Sequence, residues 1–414
     1  MIRDLDRPLL IVVLALALFG TLILYSAEQT DVAMRATGIW TRQLMWLGVG
    51  SIAAAFSYRM SFRILDWAAP WVYGLGLGLL VLTIVGLGSG GEGSAASTSS
   101  WLTIAGRRVG QPVELAKLAT ILMLARWLSA RRDPPTTLRG LVAPITIALV
   151  PALLVLKQPD LGSAMVFAGI LFIMLFWSGV APSLLFLLVS PVVSLFLAWN
   201  TTLWSIWMVV VFLALLWIRP FIVESIFIFL ANSAMGALAI VVWARLSPFQ
   251  RNRILSFLNP EEYRRGPGYQ AMQSKVAIGS GGWFGSGFTD GPLKRTGGIP
   301  EHWTDFVFAI VGEEFGFLGV TIALGLFLAF FFILVRIARR TADPYASLVI
   351  FGLIGLVLTH LFENVGMTIS LMPITGIPLP FFSYGGSFLL ALFLGLGMAF
   401  RAAAEARASG YVDS

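Results

Sequence analysis

A small set of ionisable side chains lies within or beside the long apolar segments of this 414-residue chain. Such groups cost several kcal/mol in hydrocarbon, so each is a candidate site residue by default. The carboxylates could abstract protons, and the lysines could hold anionic groups. Apart from Glu224, they are predicted at one side of the membrane, where they could converge on one cleft. The set comprises Glu114, Lys117, Lys157, Asp160, Glu224, Asp305, Glu313, Glu314, His360 and Glu363.

Several of these residues have a structural alternative to a site role. Glu114 and Lys117 are three residues apart on one helix face, so they form either an ion pair or part of a substrate site. Asp160 stands at a helix junction, where Asp is a favoured N-cap. Glu313 and Glu314 are adjacent and point in different directions around a helix, and we favour Glu314 for the cleft.

Asp305 lies in Pro300-Glu-His-Trp-Thr-Asp-Phe306, where a polar loop meets a long apolar segment. It could cap a helix there, and Thr304 could do so instead. A carboxylate at the boundary of water and lipid is also well placed to abstract a proton beside an anionic substrate. The residue types alone leave both roles open.

The loop from about 244 to 305 carries 8 of the 28 basic residues, among them Arg251, Arg253 and Lys275. Arg and Lys suit phosphate groups. Its Gly, Pro and Tyr content predicts folded turns with backbone amides available to oxygens. The chain has no GxxxxGK[ST] motif, so nucleotide binding is not supported.

The composition excludes a water-soluble globule, because 58% of the residues are hydrophobic and only 12% are charged. The absence of cysteine excludes disulfides, thiolate metal sites and a cysteine nucleophile. The net charge of +7 could suggest nucleic acid, but the arginines lie between apolar runs. A membrane protein that obeys the positive-inside bias explains them better, so we predict contact with membrane lipids and no nucleic acid.

The predicted fold is an all-α polytopic integral membrane protein with about 12 transmembrane helices and no separate soluble domain, so that 1–414 form one unit. A helix needs ~20 apolar residues to cross the hydrocarbon. The predicted transmembrane segments fall near 9–26, 39–57, 68–87, 113–129, 141–156, 162–178, 182–199, 203–218, 222–243, 306–335, 345–363 and 387–400.

The stretch from Gly86 to Ser100 is predicted to be a mobile outer loop.

The distribution of basic residues predicts the orientation. With a cytoplasmic amino terminus, the inner ends and loops carry 14 basic residues and the short outer loops carry 6. Both termini are therefore predicted in the cytoplasm and the 244–305 loop outside. The location expected is the bacterial cytoplasmic (inner) membrane, with an extracytoplasmic active site.

Several motifs resemble the SEDS family (shape, elongation, division and sporulation), and within it the elongation member more than the division member. They run in family order from about residue 101 to 400. They are Gln111-Pro-Val-Glu-Leu-Ala-Lys117, Gln158-Pro-Asp-Leu-Gly162, Asn259-Pro, Gly268-Tyr-Gln270, Gln273-Ser-Lys-Val-Ala-Ile-Gly-Ser-Gly-Gly282, the motif around Asp305, Gly312-Glu-Glu-Phe-Gly316 and Gly376-Ile-Pro-Leu-Pro-Phe-Phe-Ser-Tyr-Gly-Gly-Ser387.

The resemblance implies a peptidoglycan glycosyltransferase that joins lipid II units, with Asp305 essential. It also implies a partner, a class B penicillin-binding protein that crosslinks the new strands. The family usually has ten spans, so residues 200–243 are predicted to add a helix pair. Val113 stands where Ser is common and Trp303 where a smaller or polar residue is usual, and both could tune neighbouring site residues.

The hypothesis for the mechanism makes Asp305 the general base toward the 4-hydroxyl of the acceptor sugar. Cations near the departing diphosphate would lower the barrier, and a divalent ion, Mg or Mn, could do the same. The predicted substrate-binding residues are Glu114, Lys117, Lys157, Asp160, Arg251, Arg253, Tyr269, Gln270, Gln273, Lys275, His302, Thr304, Glu314, Ser383 and Ser387.

Two other functions are weighed against this hypothesis. Many spans with polar groups near a cavity also describe a lipid II flippase, but the charges gather near one face rather than at the midplane. A catalytically silent scaffold for a penicillin-binding protein would leave the basic outer loop unexplained.

Overall fold

The computed structural model describes residues 5–31, 37–90, 100–104, 107–245, 251, 255, 267–299 and 302–408. Most of them are helical. Eight of the described helices are long and apolar enough to cross a membrane, judged by length and composition. The predicted class, a nearly all-helical multi-pass membrane protein, is confirmed.

Each of the predicted apolar segments is occupied by a helix. The first nine are α1 Arg7–Glu28, α2 Ile39–Arg59, α3 Phe62–Leu82, α4 Pro112–Ser129, α5 Leu138–Lys157, α6 Leu161–Trp177, α7 Pro182–Leu197, α8 Thr201–Ile218 and α9 Ile222–Arg245. Two shorter helices follow, α10 Pro267–Ser280 and α11 Pro292–Arg295. The last three are α12 Val307–Arg340, α13 Pro344–Thr368 and α14 Gly386–Ala408.

Polar caps and proline mark where many helices begin. Asp6 accepts a hydrogen bond from Leu9 N at the start of α1, and Thr137 does the same for Gly140 N at the start of α5. Such side chains satisfy amides that have no partner within the helix. Proline stands in the first turn of α1, α4, α7 and α13, where no amide is needed.

The segment that joins α3 to α4 contains a small antiparallel sheet, which the sequence did not predict. A π-helical turn, Thr83–Leu87, leads into β1 Gly88–Ser89, which pairs with β2 Trp101–Ile104. Strand β2 also pairs with β3 Arg107–Gly110, and a register shift lies between Leu102 and Thr103. The mobile loop predicted from Gly86 to Ser100 is thus wrong at its start, where residues 86–89 form the end of the π-helical turn and β1, and residues 91–99 lie outside the described residues.

The main core lies between α1, α4, α6, α12, α13 and α14. Neighbouring pairs include α14 with α2, α13 with α6, α3 with α4 and α1 with α12. Phe327 and Phe330 on α12 contact Phe381 and Phe382 of the segment before α14, and their rings are tilted or edge-to-face. These contacts anchor the 376–385 segment, which borders the candidate site.

Helices α8 and α9 pack on α7 around a core of their own, formed by Leu187, Val211, Leu215 and Ile228. They occupy the place of the predicted extra pair, 200–243, and whether that pair is an addition to the family fold stays a prediction. The predicted 244–305 loop contains α10 and α11, and turns and bends occupy residues 281–291, 296–299 and 302–305.

Helix α12 breaks at Gly316, which has φ 61° and ψ −156°. A Cβ at this position would lie 2.5 Å from Gly285 N, so only glycine fits without a shift. The turn at 281–287 replaces the helical hydrogen bonds: Phe317 N donates to Gly282 O (2.8 Å) and Ser286 N to Glu313 O (2.9 Å). The first part of α12 is thereby joined to the turn that follows α10.

Candidate active site

Three consecutive backbone carbonyls hold Asp305 in place just before α12. The carbonyl of Trp303 accepts from Tyr384 N at 3.0 Å, and that of Thr304 accepts from the Ser383 hydroxyl. The carbonyl of Asp305 accepts from Asn364 Nδ2 at 2.9 Å. Asp305 is largely buried. Its backbone is therefore held by groups from α13 and from the segment before α14.

Asn364 and Ser383 each make a second bond that ties these elements together. Asn364 Nδ2 also donates to Ile377 O at 2.8 Å, and the Asn364 side chain is fully buried. The Ser383 hydroxyl accepts from Leu379 N at 2.8 Å. Sequence reasoning missed Asn364, although an amide four residues after His360 on an apolar helix is a polar group that needs partners.

His302 fixes the other side of the loop that carries Asp305. Its Nδ1 lies 2.8 Å from Ile299 O and its Nε2 lies 3.0 Å from Ala27 O at the end of α1. Burial lowers the pKa of this imidazole, and the nearby Lys294 charge lowers it further. In the neutral form, which burial favours, the ring donates to only one of the two carbonyls.

A buried ionic cluster lies on the facing sides of α4 and α13. Lys117 Nζ is 2.9 Å from Glu114 Oε1 and 3.1 Å from His360 Nε2. Because the ammonium group donates to Nε2, the proton of the neutral ring is on Nδ1, which lies 3.1 Å from Pro378 O. The predicted Glu114–Lys117 ion pair is confirmed. The role of either residue toward a substrate stays a prediction.

Asp160 and Glu363 add two carboxylates to this cluster. Asp160 lies close enough to both Glu114 and Glu363 for their charges to interact. Its Oδ1 accepts from Ser163 N at 3.0 Å, so the predicted N-cap of α6 is confirmed. The Glu363 carboxylate is fully buried. The neighbouring Thr375 hydroxyl lies close enough to interact with it and is 3.7 Å from Met367 Sδ.

One face of α13 connects the cluster to Asp305. His360 and Asn364 are four residues apart, so they lie one above the other on the helix. They bind the adjacent carbonyls of Pro378 and Ile377 respectively. The buried charges and the backbone of Asp305 are therefore positioned by the same two elements, α13 and the 376–385 segment.

A search against protein families matches the family described as Cell cycle protein, FtsW, RodA and SpoVE, over residues 7–205 and 194–408. The chain belongs to this family. It is 32% identical to the peptidoglycan glycosyltransferase RodA of Treponema pallidum, over 96% of this chain and 97% of that protein.

Solved structures agree with this membership. The family fold matches a structure described as "Structural coordination of polymerization and crosslinking by a peptidoglycan synthase complex", with a TM-score of 0.69 and 29% identity over 97% of this chain and 98% of the other. The crystal structure of RodA from Thermus thermophilus matches with a TM-score of 0.61 and 26% identity over 96% of each chain.

In this family member, Glu314 and its neighbour Glu313 are buried in contacts with the 281–298 turns. Glu314 Oε1 lies 2.5 Å from Lys294 Nζ, and Ser26 Oγ donates to the same carboxylate at 2.6 Å. Glu313 accepts from the backbone amides of Leu293 (2.6 Å) and Lys294 (3.2 Å). Glu314 thus lies in a buried ion pair, and its predicted contact with substrate is untested.

Sequence reasoning also missed Lys294. Its ammonium group is fully buried and binds Glu314, Ser26 and the carbonyl of Thr289. The available signal was the pair of adjacent acids beside a glycine in an apolar segment, since buried carboxylates require a cation or hydrogen-bond donors.

The remaining predicted site residues lie at varied depths. On α10, Tyr269, Gln270 and Gln273 are half-buried and Lys275 is exposed. Lys157 is exposed at the end of α5. Ser387 Oγ accepts from Gln111 N at 3.1 Å, which joins the start of α14 to the start of α4.

Arg251 and Arg253 of the long loop were both predicted to bind substrate, and the structure describes only Arg251. The guanidinium of Arg251 donates to Trp243 O (3.0 Å) and Ala244 O (2.7 Å), so it caps the end of α9. Arg253 lies outside the described residues.

Among the described side chains, no group of three or more His, Asp or Glu residues is arranged to hold a metal ion. The divalent ion stays a prediction.

Proposed function

We propose that this chain is a peptidoglycan glycosyltransferase that joins lipid II units into glycan strands and releases undecaprenyl diphosphate. Family membership supports the activity, because related proteins over nearly their whole length are named peptidoglycan glycosyltransferases. The observation that carries the proposal is the placement of Asp305. The carbonyls of residues 303 to 305 accept three hydrogen bonds, and α13, which supplies one of the donors, also contacts the buried Lys117 through His360.

In the proposed reaction, the Asp305 carboxylate removes the proton from the 4-hydroxyl of the acceptor N-acetylglucosamine. That oxygen attacks C1 of the donor N-acetylmuramic acid, with inversion, and the bond from C1 to the diphosphate oxygen breaks. The fixed backbone limits the motion of the base, and a positioned base contributes roughly 10²–10⁴-fold to rate. Lys117, Lys157 and Lys275 are the candidates for neutralising the diphosphate charge.

We place the reaction on the extracytoplasmic face and both termini in the cytoplasm. Asp6 and Arg407, at opposite ends of the described chain, are 3.6 Å apart, so both chain ends lie at one end of the helix bundle. Asp305 lies just before the other end of α12, and the part of α12 after its break at Gly316, 24 residues from 317 to 340, is about 36 Å long. The arginine-rich end is cytoplasmic by the positive-inside bias.

We infer a penicillin-binding protein as partner, because the matched structure is described as a synthase complex that coordinates polymerization and crosslinking. The partner would use the glycan strand as the substrate for its crosslinking reaction. The supporting measurement is co-purification of this chain with a class B penicillin-binding protein from the same bacterium.

The test of the activity uses the purified full chain, supplied with lipid II and analysed on gels for glycan strands, with and without Mg²⁺, Mn²⁺ and chelator. Asp305→Asn keeps the backbone bonds and removes the base, so we expect product formation to fall about 100-fold or more. Asp343→Asn is the matched control, because it changes an exposed cap residue to an equally good cap. Wild-type polymerisation by Asp305→Asn would remove the base assignment, and transport without polymer would indicate a flippase.

A further inference from the structure

An exposed aromatic patch surrounds the 281–288 turn that follows α10. Trp283 is 72% exposed, Phe284 is 80% exposed, and Phe317 on α12 is 58% exposed. The rings of Trp283 and Phe317 meet edge-to-face with their centroids 5.0 Å apart. Between Lys275 and Asp290 the chain has no charged residue. A contiguous apolar patch of this kind marks a surface that contacts a membrane or another protein.

The position of the patch along α12 gives its depth in the bilayer. The part of α12 after the break at Gly316 ends with Arg336, Arg339 and Arg340. Phe317 lies 19 residues before Arg336, about 29 Å along the helix. The hydrocarbon core of a bilayer is about 30 Å thick, and arginines near a helix end reach the headgroups. With Arg336 at one boundary of the hydrocarbon, Phe317 lies at the other.

Helix α1 gives the same depth from a separate part of the chain. The ring of Phe288, at the end of the turn, is stacked on that of Tyr25 with their centroids 6.2 Å apart. Tyr25 lies 18 residues after Arg7, about 27 Å along α1. Tyr and Trp are enriched at the boundary between headgroups and acyl chains. Both helices therefore place the turn at this boundary.

The backbone of the turn has partners of the kind that a site without water requires. The amides of Ser286 and Gly287 donate to carbonyls of α12 at 2.9 and 3.1 Å, and the carbonyls of Gly282 and Trp283 accept from amides of α12 at 2.8 and 3.1 Å. The Ser286 hydroxyl also donates to an α12 carbonyl, at 3.0 Å. Backbone groups at membrane depth need partners within the protein, whereas a loop in water can use water. The break in α12 supplies the partners for the turn.

The patch continues into a lipid-facing side of α12. Leu318, Ile322, Leu328 and Phe332 lie on one side of this helix and are all at least half exposed. An apolar side that runs along most of a spanning helix is covered by acyl chains. Because the aromatic patch is the end of this side, the same bilayer is the favoured partner for Trp283 and Phe284.

We propose that the 281–288 turn is a membrane anchor, which inserts the side chains of Trp283 and Phe284 between the headgroups and the acyl chains of the leaflet on the Asp305 side. The partner of this surface is the lipid bilayer. Because the turn binds the carbonyls of Glu313 and Glu314, the anchor holds the first part of α12 at a fixed depth.

The depth of the turn can be measured directly, because the chain has no cysteine and a single introduced one can carry a spin label. The label is placed by Phe284→Cys, and separately by Trp283→Cys in case one variant does not fold. The full chain is reconstituted in vesicles of phosphatidylethanolamine and phosphatidylglycerol. Electron paramagnetic resonance then compares collisions of the label with oxygen, which concentrates in hydrocarbon, and with a water-soluble nickel chelate.

Two further label positions calibrate the depth. Thr296→Cys lies in an exposed turn and is the aqueous control, and Phe332→Cys on the exposed side of α12 is the hydrocarbon control. We expect the ratio of oxygen to nickel collisions at 283 and 284 to be severalfold above that at 296 and below that at 332. A ratio equal to that at 296 would place the turn in water, as for a surface that binds a soluble protein domain, and would overturn the proposal. This measurement uses no substrate, so its result is independent of glycosyl transfer.

A double variant tests whether the anchor holds α12. In the same vesicles, we expect Trp283→Ser with Phe284→Ser to speed hydrogen exchange of the Phe317 amide, which donates to the turn, about tenfold or more. Phe221→Ser with Ile222→Ser is the matched control, because it removes two equally exposed apolar side chains from the start of α9. Equal exchange of the Phe317 amide in the two double variants contradicts the holding role.

Discussion

The buried pair of Lys294 and Glu314 allows a quantitative prediction. Both side chains are fully buried, and Lys294 Nζ lies 2.5 Å from Glu314 Oε1, 2.8 Å from Ser26 Oγ and 3.1 Å from Thr289 O. Lys294→Met removes the ammonium group and leaves the carboxylate buried, with the Ser26 hydroxyl as its remaining donor among the described residues. Breaking a buried pair in this way costs about 3–5 kcal/mol of folding free energy.

The double variant separates the pair from its parts. Lys294→Met with Glu314→Leu removes both charges and replaces them with apolar groups of similar size. Since replacing a buried pair is often neutral or stabilising, we expect the double variant to be more stable than Lys294→Met alone. The coupling free energy between the two positions should then exceed about 2 kcal/mol, within the range for residues in contact.

The assay is reversible denaturant unfolding of the purified chain in detergent, combined with hydrogen exchange of the 281–318 backbone. The control pair is Arg401 and Glu405, 2.6 Å apart on α14 and partly exposed, for which about 0.3–0.5 kcal/mol is expected. Two results would show that the buried ion pair does not hold the turn on α12. One is a loss of folding free energy on Lys294→Met that is smaller than the about 0.3–0.5 kcal/mol expected for the control pair. The other is that the effects of Lys294→Met and Glu314→Leu add without coupling.

Three further predictions concern the loop and the helix break. Asn364→Leu removes the hydrogen bonds that Asn364 Nδ2 donates to the carbonyls of Asp305 and Ile377, so we expect the kcat for glycan synthesis to fall about 10- to 100-fold with little change in KM, measured with lipid II. A parallel rise in KM would mean that Asn364 acts on binding instead. Gly316→Ala forces a side chain into φ 61° against Gly285, and we expect it to destabilise the chain by at least about 1–3 kcal/mol in unfolding measurements. Because burial lowers the pKa of His302, the unfolded chain binds a proton more readily than the folded chain. Stability should therefore be full above pH 6.5 and decline as pH falls below it, by at most about 1.4 kcal/mol per pH unit, and His302→Asn should reduce that slope.

Hydropathy was sufficient to predict the helices, because a span needs a long apolar run and the cost of unpaired backbone in lipid enforces helix there. The Glu114–Lys117 ion pair and the Asp160 N-cap could also be predicted, because each joins residues only three apart in the sequence. The strands at 88–110 were missed because they are short and because the stretch between β1 and β2 is rich in Gly and Ser, a composition typical of loops.

Contacts between segments that are distant in the chain could not be predicted from the sequence. Lys117 and His360 are 243 residues apart, and Lys294 and Ser26 are 268 apart. Neither pair has a spacing that predicts contact. The break at Gly316 was also missed, because an apolar segment continues on both sides of it and hydropathy does not register a change in φ.

The carbonyl bonds at 303–305 limit how the position of Asp305 could be regulated. Their donors come from Asn364 on α13 and from Ser383 and Tyr384 before α14, while His302 binds the end of α1. Asp305 therefore cannot shift by about 1 Å, enough to cost roughly 100-fold in rate, unless α13 or the 376–385 segment shifts with it. A partner that changes the activity without touching substrate could act through one of those two elements, or through the end of α1 that His302 binds. Binding at α8 and α9 alone, which pack on α7 around a separate core, would leave the base where it is.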